Sequence, residues 1–388
     1  MSVNPAIQEY VPDAQQWRRE LHRNPELLYD LPRTSNFVAE RLREFGCDEV
    51  RTAIGKSGVV GVIKGRKGDG KRVIALRADM DALPIEEATN LPYRSAVPGK
   101  MHACGHDGHT AMLLGAARYL AKTRDFSGTA VVVFQPAEEG GAGAKAMIDD
   151  GLMETFAIEE VYGMHNMPKV PLGVFALRKG PLLAAADAFT IRLEGRGGHA
   201  ASPNQCVDPI VAGAQMVTAL QTIVARNLDP LDSCVVSVTS FHAGTAFNIL
   251  PQSAELLGTT RTLHPETRDL AERRLKEIVA GVAAASGVTA SVHYDRGYPA
   301  TRNHPKQTDF AASVARDISG ADKVLTEIQP VMGAEDFSFM LEARPGAFIL
   351  LGNGDTAGLH NPGYDFNDAA LPYGMAYWAR IVETALAA

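Results

Sequence analysis

The chain has 388 residues, of which 46% are hydrophobic and 21% charged, with a net charge of −7 and four cysteines. That size and balance fit a globular protein with more than one core, and two domains are the natural first division. No apolar run approaches the ~18 residues of a membrane span, and an acidic chain without a long basic run offers no surface for nucleic acid. The opening MSVNPAIQEYVPDAQQW has neither the basic start nor the apolar core of a secretory signal. Cys47, Cys104, Cys206 and Cys234 are too scattered for a disulfide framework, so cytoplasmic residence is the expectation.

In chain order, QQWRRELHRN and RTSNFVAERLREFG predict two helices, the second stopping at Gly46. GVVGVIKG, KRVIALRA, TAVVVFQ and EEVYGMH are short, apolar and β-branched, as buried strands are. Between two of them HTAMLLGAARYLAK has helical periodicity, with His109 placed at the helix start. From about Asp187 the order changes to strand (AFTIRLEG), helix (VDPIVAGAQMVTALQTIV), strand (CVVSVTSFH), strand (AELLGTTRT), helix (TRDLAERRLKEIVAGVAAA) and strand (VTASVHY). That βαββαβ order belongs to a ferredoxin-like unit. After Tyr298 the α/β character returns, with AFILLG as a strand and DAALPYGMAYWARIVETALAA as a closing helix. The expected fold is α/β, a mixed and mostly parallel sheet covered by helices over 1–185 and 299–388, with a ferredoxin-like α+β unit inserted at 186–298.

Metal-capable side chains gather at the strand ends of the larger domain. KRVIALRA runs into Asp79 and Asp81, TAVVVFQPA into Glu138 and Glu139, and EEVYGMH into His165; the loop after AFILLG holds Asp355 and His360. Open α/β sheets bind ligands at the carboxyl ends of their strands. The stretch MHACGHDGHT, with His102, Cys104, His106, Asp107 and His109, lies in a loop between two of these elements. A closed structural zinc site would favour paired cysteines, and the chain has no C-x-x-C. Cys, His and carboxylate together suit zinc or another borderline divalent ion, and more than four candidates suit two ions. An acid beside a ligating acid, as in Glu138-Glu139, suits a general base.

RADMDALP, GKMHACGHDGHTAMLLGAA, QPAEEGGAGAKAMI, GMHNMP, GRGGHAASP, GAEDF and LHNPGYDFND together resemble the hippurate hydrolase and N-acyl-amino-acid amidohydrolase branch of the aminoacylase-type di-metal peptidases, which also includes indoleacetyl-amino acid hydrolases. The resemblance runs over almost the whole chain. It implies two divalent ions per subunit (zinc, manganese, cobalt or nickel), an inserted dimerisation or lid domain, a homodimer or higher homo-oligomer, and hydrolysis of the amide of a small N-acyl amino acid. Residue by residue it implies Cys104, His106, Glu139, His165 and His360 as ligands and Glu138 as the general base. In the wider family an Asp bridges both ions where this branch has Cys-Gly-His, which leaves the bridging ligand open. Asp81 and Asp107 would orient histidines or the loop, and His102 and His109 would be structural.

In the inserted unit the resemblance places His199, of GRGGHAASP, at the substrate carbonyl, often across a dimer interface, and Asn248 and Arg261 at the substrate's free carboxylate. An arginine fork suits that group bidentately. The other readings are a dipeptidase or aminopeptidase with the same centre, which would need an acidic anchor for the free amine, and a metal- or peptide-binding protein, which would need no base.

Overall fold

The computed structural model describes residues 5–388, which divide into two compact units. The larger comprises the chain up to Leu182, Arg302–Gln329 and Asp336–Ala388; the smaller comprises Leu183–Thr301 and Pro330–Glu335. The short Pro330–Glu335 segment therefore groups with the smaller unit, although in sequence it stands after the return to the larger one.

The larger unit is built on an eight-stranded sheet whose order is Glu49–Ile54, Gly58–Lys64, Thr129–Gln135, Val73–Asp79, Glu160–Pro168, Gly346–Gly354, Phe175–Ala176 and Val324–Leu325. The four central strands run parallel, while Gly58–Lys64 is antiparallel to both of its neighbours. Val73–Asp79 is buried at every position, as expected of a strand covered on both faces. Helix His106–Thr123 packs against Val11–Arg23 and Leu371–Ala385. Sandwiched in this way, it is buried almost all round, including Met112, Leu113, Ala116 and Leu120. It begins at His106, three residues earlier than its periodicity suggests, because Gly105 turns the chain at φ 93° just before it. Parallel strands share one carboxyl edge. Asp79, Gln135 and Pro168 are strand ends on that edge, so the loops after them converge.

The smaller unit is a four-stranded antiparallel sheet in the order Cys234–Ala243, Ser253–Thr262, Ala185–Glu194 and Thr289–Arg296. In chain order this reads second, third, first, fourth, the arrangement a βαββαβ unit adopts when its two crossover helices lie on one face. Helices Pro209–Leu220 and Pro265–Ser286 supply that face, with Ala212, Met216, Leu275 and Val279 packed against Phe189, Ile191 and Leu256. Asp208 caps the first helix by accepting from the N–H groups of Ile210 at 2.7 Å and Val211 at 3.3 Å. The second stops at Gly287, φ 72°. Among the described residues no helix is long and apolar enough to cross a membrane.

Candidate metal centre

Cys104, His106, Glu139, His165 and His360 come together at the carboxyl edge of the larger sheet. Two groups of donor atoms form, Cys104 with His106 and His165, and Cys104 with Glu139 and His360. Cys104 Sγ lies 3.3 Å from His165 Nε2, and Glu139 Oε1 lies 3.3 Å from His360 Nε2. His106 Nε2 faces Glu138 and Glu139 at 4.0 Å from each carboxylate.

The imidazoles are oriented by their other nitrogen. His106 Nδ1 donates to the Asp81 carbonyl at 2.8 Å, and His165 Nδ1 donates to the Asn166 carbonyl at 2.6 Å. A carbonyl only accepts, so each Nδ1 carries a hydrogen and each Nε2 is turned inward, the arrangement ligating histidines take. Among the described residues His106 Nε2, which is buried, has no hydrogen-bond partner. His109, three residues further along the same helix, differs. Its Nδ1 is 2.6 Å from Asp79 Oδ1 and its Nε2 accepts the Asn166 N–H at 2.9 Å, so it has no lone pair left to offer. His102 is also buried, and burial above all pushes its pKa down to about 3; it joins neither donor group.

The electrostatics fit a cation. Burial, the largest influence, pushes the Cys104 thiol well above its ordinary pKa, and burial, followed by the closeness of His109, holds His165 well below its own. Burial also opposes charge on His106, but Asp79 and Cys104 outweigh it and raise that pKa. A buried thiol becomes a thiolate when positive charge is placed beside it. Soft sulfur, two imidazoles with inward nitrogens and a carboxylate are the donor set of a borderline divalent ion. His360 is the exposed member, its side chain 53% accessible. Its backbone takes φ 61°, and its N–H donates to the Ala103 carbonyl at 2.8 Å.

Asp81 holds the two glutamates. Its Oδ1 accepts the Glu138 N–H at 3.0 Å and its Oδ2 the Glu139 N–H at 3.1 Å, so one buried carboxylate fixes the peptide that carries both side chains. Asp107 points away from the donors. Its Oδ2 lies 3.1 Å from Arg18 Nε and 2.8 Å from His22 Nδ1, which ties the helix start to Val11–Arg23. Asp355 takes no part: it is exposed and paired with Lys169 on the surface.

Several supporting residues escape the sequence reading. Arg77, fully buried within its strand, bonds Asp79 at 2.7 Å, Gln135 at 2.8 Å and Asp336 at 3.0 Å. A charged residue inside an otherwise apolar strand is the available signal, since it requires buried partners. Asn166 and Tyr364 stand within quoted motifs but carry no mark of their role.

The remaining candidates lie in the smaller unit. His199 is exposed, in a two-residue strand paired with Ile249–Leu250, and the Asn248 carbonyl accepts the neighbouring Ala200 N–H at 3.0 Å. Arg261 is half-buried and donates to Thr259 Oγ1 and, at 3.0 Å, to the Thr260 carbonyl. The structure brings His199 and Asn248 together but not Asn248 and Arg261. Ser253 pairs with Glu194 and Arg261 with Ala186, so eight strand steps, roughly 26 Å at ~3.3 Å each, separate the two ends.

Residues 75–384 match Peptidase family M20/M25/M40. The chain belongs to this family. It is 44% identical to a hippurate hydrolase of Campylobacter jejuni subsp. jejuni over 381 residues, 98% of each chain. It is 39% identical to an N-acetylcysteine deacetylase of Bacillus subtilis over 370 residues, 95% of this chain and 96% of the relative. Among solved structures, the Bacillus subtilis YXEP protein, a dinuclear metal binding peptidase from the M20 family, is 34% identical with a TM-score of 0.85, covering 98% of this chain and 99% of that one. The mixed, mostly parallel α/β sheet is thus the family's fold in this M20 chain.

Proposed function

We propose that this M20 protein is a metal-dependent amidohydrolase that splits small N-acyl amino acids into a carboxylic acid and a free amino acid. The observation that carries the reading is the convergence of Cys104, His106, Glu139, His165 and His360 with both buried imidazoles locked so that Nε2 faces inward. Cys104, which belongs to both donor groups, would together with His106, His165, Glu139 and His360 hold two divalent ions. Zinc, manganese, cobalt and nickel all suit these donors. Such ions supply a lowered pKa for a water molecule and polarisation of the scissile carbonyl.

The chain's own groups carry the proton. Glu138, held by Asp81 through its backbone N–H, takes the proton that the attacking water gives up. It then delivers that proton to the amide nitrogen as the C–N bond breaks. The acyl group leaves as a carboxylic acid and the amino acid as a free amine.

In the smaller unit we assign His199 to the oxyanion and Arg261 and Asn248 to the substrate's carboxylate. The strand Ser253–Thr262 lies between Asn248 and His199 on one side and Arg261 on the other, which supports a reading in which His199 and Asn248 serve a second copy. The edge strand Cys234–Ala243 exposes Val235 and Phe241, and helix Pro209–Leu220 exposes Val211, an apolar strip suited to pairing as a homodimer. The unit 186–298 would then be the dimerisation domain. Four free cysteines accord with work in the reducing cytoplasm.

The test is metal-depleted protein, reloaded with each of the four ions and assayed against acetyl, benzoyl and indoleacetyl amino acids alongside dipeptides. The N-acyl amino acids are expected to turn over only after reloading. Metal-free protein of unchanged activity, or a tenfold preference for dipeptides, overturns the assignment.

A further inference from the structure

We propose that Asn166 and Tyr364, neither of them a donor to a cation, are the positioning pair that fixes Cys104 and His165 relative to each other, and so set the affinity of the centre. The inference rests on the metal reading above and concerns how that centre is held.

Asn166 follows His165 on the strand Glu160–Pro168 and is fully buried. Its backbone carbonyl accepts His165 Nδ1–H at 2.6 Å, which aims the His165 ring. Its side-chain Nδ2 donates to the Cys104 carbonyl at 2.6 Å. One residue thus grips the main chain of one proposed ligand and the ring of another. The orientation of its amide is set by Tyr364, whose hydroxyl donates to Asn166 Oδ1 at 2.7 Å. With Oδ1 engaged as acceptor, Nδ2 has to face Cys104.

Gly105 gives independent support. A Cβ there would lie 2.3 Å from Asn166 Nδ2 and 2.5 Å from the Tyr364 hydroxyl. The pair is therefore seated directly on the peptide between Cys104 and His106, where only glycine leaves room. Tyr364 stands four residues beyond His360, whose N–H is bonded to Ala103. The three segments that carry Cys104, His165 and His360 meet at this amide and phenol.

Removing the phenol oxygen leaves Asn166 Oδ1 buried without its donor, and the amide is then held only through Nδ2, by the Cys104 carbonyl at 2.6 Å and His109 Nε2 at 3.1 Å. Loss of a partner that orients metal ligands weakens metal affinity ten- to a hundredfold. The assay is titration of metal-free protein with Co²⁺ in competition with a chromophoric chelator, following the thiolate-to-cobalt charge-transfer band in the near ultraviolet. Tyr364→Phe is expected to raise the Co²⁺ dissociation constant ten- to a hundredfold and to shift the band. Its metal-free form should still unfold cooperatively, with a midpoint only a few degrees below the wild type. Tyr377→Phe is the control, since Tyr377 is equally buried and its hydroxyl has no hydrogen-bond partner among the described residues; its Co²⁺ affinity should match the wild type. Asn166→Ala should exceed Tyr364→Phe in effect, because it loses the bond to Cys104 outright. Wild-type protein without a thiolate band would defeat the metal reading itself. A wild-type band with unchanged affinity in Tyr364→Phe would overturn the positioning role, as would equal losses in Tyr364→Phe and Tyr377→Phe.

Discussion

Replacing Asp81 with Asn tests how the proposed base, Glu138, is held. The Asp81 carboxylate is 1% exposed and accepts two N–H groups, from Glu138 at 3.0 Å and Glu139 at 3.1 Å. Asparagine has one acceptor oxygen and one NH2 group, so whichever way it sits, one of those N–H donors faces another donor. The loss combines one charge-assisted hydrogen bond, about 1.5–3 kcal/mol, with a buried unpaired N–H at about 1–3 kcal/mol. Burying a neutral amide in place of a carboxylate recovers part of this, leaving roughly 2–4 kcal/mol against a typical total of ~5–15 kcal/mol. Both tryptophans, Trp17 and Trp378, lie in the unit that carries the site, so urea unfolding of metal-free protein followed by their fluorescence reads that unit alone. Displacing the Glu138-Glu139 peptide also displaces the proposed base, and a misplacement of about 1 Å lowers rate ~100-fold. The Asp81 carbonyl that orients His106 is main chain and survives the substitution, so the variant should still bind metal. A urea midpoint and kcat both within error of the wild type would refute the role given to this carboxylate.

Glu138→Gln should keep its metal by elemental analysis and lose ~10²–10⁴ of kcat, the usual worth of a general base; a metal-loaded variant of normal activity would remove Glu138 from the mechanism. Arg261→Ala should lower kcat/KM for an N-acyl amino acid by about ten- to a hundredfold and leave its C-terminal amide, already a poor substrate, little changed; equal losses on acid and amide would make Arg261 structural. For His22, burial favours the neutral ring, but the hydrogen bonds to Asp107 and Glu87 outweigh it and raise the pKa to about 9. The folded state thus keeps a proton that the unfolded chain releases near 6.5. The stabilisation, up to about 3 kcal/mol, is whole below pH 6.5 and is lost as pH rises through 9. Urea midpoints across that range should fall for the wild type and run flatter for His22→Asn, and parallel profiles would count against the linkage.

The strands and helices were legible because their signals are local. Val73–Asp79 is apolar enough to read as a doubly covered strand from seven residues, and the βαββαβ order follows from alternating periods along about 110 positions. The donor types were legible for a related reason: parallel strands put their ends on one edge, so acids and histidines that follow strands are brought together by topology alone. The start of helix His106–Thr123 was not, because apolar periodicity begins only after the polar residues His106, Asp107 and His109, while a glycine at φ 93° fixes the boundary.

Which histidine turns a free nitrogen toward the donor cluster and which is tied into the scaffold is decided by partners that no local pattern announces. His106 and His109 share a helix face, yet one has an unbonded inward nitrogen and the other has spent both, on Asp79 thirty residues before it and on Asn166 fifty-seven after it. The same holds for Arg18, whose guanidinium reaches Asp107 and the carbonyl of Phe366, 348 positions away. Buried charges and amides need partners to offset desolvation, and in this fold those partners come from the far end of the chain. Donor type is therefore readable from the residues, whereas side-chain orientation depends on hydrogen bonds that exist only after the sheet has formed. Asn166 illustrates the difference: within GMHNMP it is one residue beyond a histidine, and only the closed fold places its amide between Cys104 and Tyr364.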